Sequence, residues 1–200
     1  MKETKQYGRH SRTVVPSMAQ VSAERKRIRY WEKYIRTLRS TVSILIVVAA
    51  LAVLVSSLFL PVLQISGTSM EPTLYDEDII VLTKMGDYKT GQLYGFYWQN
   101  KILIKRLIGQ PGDVIDIAAD GTVTVNGEAI DEPYLMDRAI GECDIELPYQ
   151  VPESRYFFMG DMRSTSIDSR SSSIGSIEDT QIVGRVIFRV LPLNKIGTVE

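Results

Sequence analysis

Two hydrophobic patterns divide the chain. From Thr41 to Leu63 the run TVSILIVVAALAVLVSSLFLPVL holds 23 residues without a charge, more than the roughly 20 that a helix needs to cross a bilayer. Just before it, Ala23 to Ser40 (AERKRIRYWEKYIRTLRS) spaces Ile28, Trp31, Tyr34 or Ile35, and Leu38 at helical intervals among basic residues. That spacing predicts either a helical extension of the apolar run or a basic amphipathic helix on anionic headgroups. Residues 1–22 have no apolar periodicity and are expected to be disordered.

Beyond residue 64 the pattern becomes one of short runs and alternation with period two. Asp78 to Leu82, Gln92 to Gln99, Lys101 to Ile108 and Val114 to Ile117 read as strands, as do Thr122 to Val125 and Glu128 to Ile130. Asp120-Gly121 and Asn126-Gly127 are hairpin turn signals between them. Further strands are expected at Arg155 to Met159 and Ile182 to Leu191, and no helical pattern is found after residue 64. The prediction is an all-β domain of antiparallel strands with one N-terminal transmembrane helix.

Charge adds an orientation. Up to residue 40 there are eleven Lys and Arg against three Glu, a surplus of eight, so the remainder carries −9 of the net −1. A cleaved secretory signal has a shorter apolar core nearer the N-terminus. An uncleaved signal anchor is therefore predicted, with residues 1–40 a cytosolic basic tail, 41–63 the membrane span and 64–200 an extracytoplasmic domain. The same topology accounts for the arginines without nucleic acid. Cys143 is the lone cysteine and has no internal disulfide partner, so the exported domain must be stabilised by its core.

Candidate chemistry comes from three segments. In Ser66-Gly67-Thr68-Ser69-Met70-Glu71-Pro72-Thr73-Leu74, Gly67 allows a turn and Pro72 opposes a helix before it, which holds Ser69 in a turn or extended conformation. Either Ser69 is a nucleophile beside outward N–H donors, or the segment is a Ser/Thr/Gly/Pro linker. The only histidine, His10, lies in the basic tail, so a serine beyond the membrane needs another base, and lysine is one known alternative. In KILIKRLI, Lys105 shares a strand face with Leu103 and Leu107. To act near neutral pH its pKa must fall from about 10.4 to roughly 7 or 8, equivalent to about 3 to 4 kcal/mol of desolvation. The alternative is an edge-strand charge that discourages aggregation. The third segment, Gly160 to Arg170 (GDMRSTSIDSR), holds two acid–base pairs and several hydroxyls, the composition of a hydrogen-bonded bracing loop. No metal-ligand cluster or Gly-rich phosphate loop is found, and no cofactor is expected.

Together and in this order, SGTSMEPTL, KRLIGQPGD, GDMRSTSIDSR and IVGRVIFRVLPLNKIG resemble the motifs of bacterial type I signal peptidases, membrane-anchored Ser-Lys proteases that remove signal peptides from exported proteins. The resemblance implies Ser69 as nucleophile and Lys105 as general base. It also implies Ser166 as the residue orienting the lysine, Asp168 and Arg170 as an ion pair holding the loop, and Asp161 and Arg163 in similar supporting roles. The Ser69 N–H would be the main oxyanion donor; some members add a serine hydroxyl at the position of Gly67. Substrate would lie extended between Gln64–Gly67 and the strand carrying Leu103 and Ile104. Pockets lined by Ile65, Met70, Leu74, Leu103 and Ile104 would select Ala-x-Ala. The implied partners are signal peptides of preproteins, the lipid bilayer and, by proximity, the secretion translocon. Phe96-Tyr97-Trp98 would be an apolar rim at the bilayer or a buried strand end.

Three departures from the family pattern stand out: Met162 where the last motif usually has Asn, Glu77-Asp78 where Gly-Asp is usual, and the Ser-rich stretch Ser171 to Ser176. Met162 and the Ser-rich stretch are the support for a rival reading, a non-catalytic anchored β-domain that binds signal peptides or partners. A self-cleaving Ser-Lys repressor is disfavoured by the membrane span and by the lack of a helix-turn-helix pattern in residues 1–40.

Overall fold

The computed structural model describes residues 17–84 and 86–199; residues 1–16 of the stretch expected to be disordered lie outside the described residues. Helix α1 (Met18–Phe59) runs for 42 residues without a break, about 63 Å at 1.5 Å per residue. Residues 18–22 are thus helical, contrary to expectation. Ser17 explains the start, since its Oγ accepts from the Gln20 N–H while its own N–H donates to Gln20 Oε1, a reciprocal cap that satisfies two orphan donors. The basic stretch 23–40 is continuous with the apolar one, as the first of the two predicted alternatives has it. The helix is long and apolar enough to cross a membrane, and side chains such as Leu45 and Ile46 are exposed. It ends before Pro61, which can supply no N–H to continue it.

The chain divides between Val53 and Leu54 into two compact units. The second begins sooner than the apolar run ends: Val62 and Leu63 belong to strand β1 (Val62–Gln64), not to the helix. It continues with β2 (Ile79–Thr83), β3 (Leu93–Trp98), β4 (Lys101–Gly109), β5 (Val114–Ile117), β6 (Val123–Val125), β7 (Glu128–Ala129) and β8 (Tyr149–Gln150). Then come β9 (Arg155–Met159), β10 (Ile177–Glu178), β11 (Ile182–Leu191) and β12 (Gly197–Thr198). All pairings are antiparallel, as predicted.

The main sheet runs β1-β2-β11-β3-β4-β9-β10 with β12 added to β11; the smaller sheet runs β7-β6-β5-β8. Asn126 and Gly127 turn the β6–β7 hairpin with φ of 54° and 84°, the left-handed pair that matches strand twist. One apolar cluster lies beneath β1, β2 and β11 and includes Ile65, Met70, Leu74, Ile80 and Ile104. A second joins Ile108 of β4 to the smaller sheet, and a third collects Tyr94, Phe96, Leu107 and Phe158.

Strand β4 pairs with β3 on one side and, in its second half, with β9 on the other; Lys105 is buried and bonded to Ser69, which excludes its reading as a solvated edge-strand charge. The β9 pairing starts only at Arg106, opposite Met159. Lys101 to Lys105 therefore leave their second edge open among the described residues.

Candidate active site

Ser69 sits in a compact turn fixed from several sides. Gly67 adopts φ +96°, a region that a side chain disfavours, and its N–H donates to Asp76 Oδ1 at 2.8 Å. The Glu71 and Leu74 N–H groups donate back to the Thr68 and Met70 carbonyls at 3.0 and 2.9 Å. Below the turn, Met70 and Leu74 are buried, and the Asp78 carboxylate accepts from the Tyr75 N–H and from Arg189, which also bonds the Thr73 carbonyl. The segment is an anchored turn, not a linker. Among the described residues the Ser69 N–H has no hydrogen-bond partner, while the Gly67 N–H is already committed to Asp76.

Lys105, on β4 opposite Tyr94 of β3, brings its Nζ to 2.5 Å from Ser69 Oγ. Only 3% of the residue is exposed. Burial pulls its pKa from 10.5 down to about 8; Asp168 and Asp161 oppose the fall, and the Arg170 charge adds to it. About a tenth of Lys105 is thus neutral at pH 7, and half near pH 8. A neutral amine at this distance can accept the hydroxyl proton.

The loop after β9 closes over this pair. The Met162 N–H donates to the Ser69 carbonyl at 3.1 Å. Asp168 is fully buried and accepts from the Gly160 N–H and the Ser166 hydroxyl at 2.8 Å each, and from Arg170 through both Nε and Nη2. Burial alone would raise the Asp168 pKa, but the Arg170 fork and the two other donors hold it below the ordinary carboxylate value. Ser166 is therefore turned toward Asp168, and among the described residues the hydrogen bond of Lys105 goes to Ser69 instead. An ionised carboxylate two residues away is the stronger acceptor for its proton.

Asp168 and Arg170 pair as expected, whereas Asp161 and Arg163 do not pair with each other. Asp161 takes a two-point contact from Arg106, Nε to Oδ1 at 2.9 Å and Nη2 to Oδ2 at 2.7 Å. Arg163 pairs with Glu132 and donates Nε to the Gly160 carbonyl at 2.9 Å. The Thr73 hydroxyl donates to Asp161, which ties the serine turn to the same network. The Arg106 guanidinium lies 3.8 Å from the centre of the Tyr134 ring, and Tyr134 donates to Glu132 at 2.9 Å. Burial, with Glu132 beside it, pushes the Tyr134 phenol well up, so it stays protonated. The sequence reading missed Arg106, Glu132, Tyr134 and Thr73. One signal was present: two consecutive cations, Lys105-Arg106, in an apolar strand demand buried carboxylates.

A groove of about 880 Å³ opens at Ser69 and Lys105. Gln64, Ile65, Ser66 and Met70 form one wall, and Ile102, Leu103 and Ile104 the other; Tyr97, Gln99, Asn100 and Lys101 close the far end. Gly67 and Leu74, expected on the substrate path, are not among the lining residues. Leu74 is completely buried in the cluster beneath Met70, where its side chain packs the turn. Phe96-Tyr97-Trp98 splits by strand alternation: Phe96 is core, Trp98 packs on that core and donates to the Ser173 carbonyl, and Tyr97 is 54% exposed at the groove.

Residues 38–191 match the family described as "Signal peptidase, peptidase S26". The chain is 34% identical over 171 residues to signal peptidase I of Bacillus licheniformis, covering 78% of this chain and 89% of that protein. It is 37% identical over 152 residues to signal peptidase IB of Staphylococcus aureus (strain Mu50 / ATCC 700699), covering 66% and 78%. A crystal structure of a signal peptidase I from Enterococcus faecalis V583 aligns with a TM-score of 0.42 and 24% identity, over 51% of this chain and 98% of that one. By the family match and these relatives, the chain belongs to the signal peptidase I family, peptidase S26, and is a serine peptidase.

Proposed function

We propose that this protein removes N-terminal signal peptides from exported preproteins, with Ser69 as nucleophile and Lys105 as general base. The observation that carries the reading is the amine of a buried lysine 2.5 Å from a serine hydroxyl at one end of an extended groove. Ser69 Oγ attacks the scissile carbonyl as its proton passes to Lys105 Nζ, and the unpartnered Ser69 N–H faces the developing oxyanion. The resulting ammonium donates that proton to the leaving amine, freeing the mature N-terminus and leaving an acyl ester on Ser69. Neutral Lys105 then takes a proton from water as the water oxygen attacks the ester; the resulting ammonium returns a proton to the departing Ser69 Oγ, and the signal peptide leaves with a free C-terminal carboxyl group.

The open edge of β4 and the chain from Gln64 to Ser66 flank the groove, an arrangement that suits an extended peptide. Shallow apolar walls at Ile65, Met70, Leu103 and Ile104 favour small side chains at the first and third positions before the cut, hence Ala-x-Ala. The basic tail and single apolar helix support a membrane-anchored enzyme with a cytoplasmic N-terminus, its peptidase unit on the outer face near the bilayer and the secretion translocon. The test is cleavage of a preprotein with an Ala-x-Ala site by the full chain in detergent, with the product's N-terminus sequenced. Cleavage at that junction, lowered at least about 10³-fold in both Ser69→Ala and Lys105→Ala, is expected. Retained cleavage in either variant contradicts the assignment.

A further inference from the structure

We propose that α1 is a pairing surface for a second copy of this chain, two such helices running side by side as a parallel left-handed coiled coil; the pairing does not depend on the reaction proposed above. Exposed apolar residues of α1 recur at alternating steps of three and four, at Ile28, Trp31, Ile35, Leu38, Val42 and Leu45. This is a heptad repeat. Its first position holds the β-branched Ile28, Ile35 and Val42, and its fourth holds Leu38 and Leu45, with Trp31 the exception. β-Branched side chains at the first position with leucine at the fourth favour two strands. Further into the apolar run the same steps reach Ala49 and Ala52, which are small enough for close helix approach.

The length of the helix argues for a protein partner over lipid. About 20 residues cross the hydrocarbon, yet α1 is continuous from Met18. Residues 18–40 therefore extend up to about 35 Å beyond the apolar run, and the stripe from Ile28 to Ile35 cannot lie flat on a bilayer unless the helix breaks. Charge points to a second copy. In a parallel pair the seventh position of one heptad faces the fifth position of the next heptad in the other strand. Arg27 and Glu32 hold these positions, so Arg27 of each copy meets Glu32 of the other, twice by symmetry. One heptad on, Tyr34 meets Arg39, a cation–π pair. Within its own helix Arg27 reaches Glu24 only at 3.8 Å, with both side chains exposed. The other cations between residues 26 and 38, namely Lys26, Arg29, Lys33 and Arg36, fall at the second and sixth positions, on the back of the helix away from the seam.

The experiment uses the full chain with Cys143→Ser, which removes the native thiol, in liposomes of neutral lipid at low protein density. Under mild oxidation Leu38→Cys, at the seam, is expected to form a disulfide-linked dimer at least about tenfold faster than Lys33→Cys, on the back, because a disulfide needs Cα atoms within about 7 Å. In neutral detergent, sedimentation equilibrium is expected to show that Arg27→Glu and Glu32→Arg each weaken the dimer about tenfold, since two attractive pairs become repulsive, and that the double variant recovers most of the loss. Equal cross-linking at the two positions, or a monomer at every protein-to-detergent ratio, overturns the inference. So does a dimer indifferent to all three charge variants, which would assign the association to the peptidase unit.

Discussion

The main-chain N–H of Met162 donates to the carbonyl oxygen of Ser69 at 3.1 Å, which ties the loop carrying Ser166 and Asp168 to the backbone of the serine turn. The contact uses no side-chain atom of residue 162, so the departure from Asn at this position is structurally mild. Met162→Asn is expected to change kcat/KM by less than about threefold and stability by less than about 0.5 kcal/mol. Steady-state kinetics and thermal melts of the two proteins check this; a large gain in activity would show that the side chain matters.

Gly160 is the tightest point of the same loop. A Cβ at this position would lie 2.1 Å from Ser166 Oγ and 2.7 Å from the Ser69 carbonyl oxygen. Those neighbours are held by Asp168 and Met162, so the turn itself must move. Gly160→Ala is expected to lose about 1–3 kcal/mol of stability and about 10²-fold in kcat through displacement of the serine. Wild-type kinetics in the alanine variant would contradict the packing described.

Glu132 neutralises Arg163, whose side chain is 1% exposed. Removing one partner of a buried pair leaves a charge without compensation, at about 3–5 kcal/mol. Glu132→Ala is therefore expected to unfold well below the wild-type temperature, and Glu132→Ala combined with Arg163→Met to recover much of the loss. A single variant as stable as the wild type, measured by chemical denaturation, would show that the pair is not closed in solution.

Lys105 weakens the fold in order to be reactive. Its folded-state pKa of about 8 lies below the ordinary 10.5, so between these values the unfolded chain binds more protons and stability rises with pH. Below pH 8 the deficit is fully present, on the order of 3 kcal/mol. Lys105→Met is therefore expected to melt several degrees higher than the wild type at pH 7, with the gap closing as the pH approaches 10.5. A gap of constant size across that range would mean that Lys105 is not desolvated.

The strands and the chemistry were legible to different depths. Lys101 to Ile108 announced a strand by its apolar residues, and Lys105 stood out as a cation among them, without showing whether that strand lay at an edge. The pairing of Arg163 with Glu132 did not, because it joins positions 31 apart and the segment around Glu132 has no periodicity. Sequence neighbours suggested Asp161 with Arg163; the end of β9 faces Arg106 of β4 instead. Strand β1 was hidden for a different reason. Val62 and Leu63 are as apolar as the helix before them, and Pro61 was the only mark of the change. Leu74 showed the reverse error, since an apolar residue near a proposed pocket serves equally well under it.

Lys105 must be neutral to activate Ser69, and the pH dependence of kcat/KM tests this most directly. For an Ala-x-Ala substrate, kcat/KM is expected to rise with pH through a single apparent pKa near 8 and level off above it, because protonated Lys105 cannot accept the serine proton. A profile already flat at pH 6, or one still rising at the pKa of a free lysine near 10.4, would contradict the assignment of Lys105 as the base.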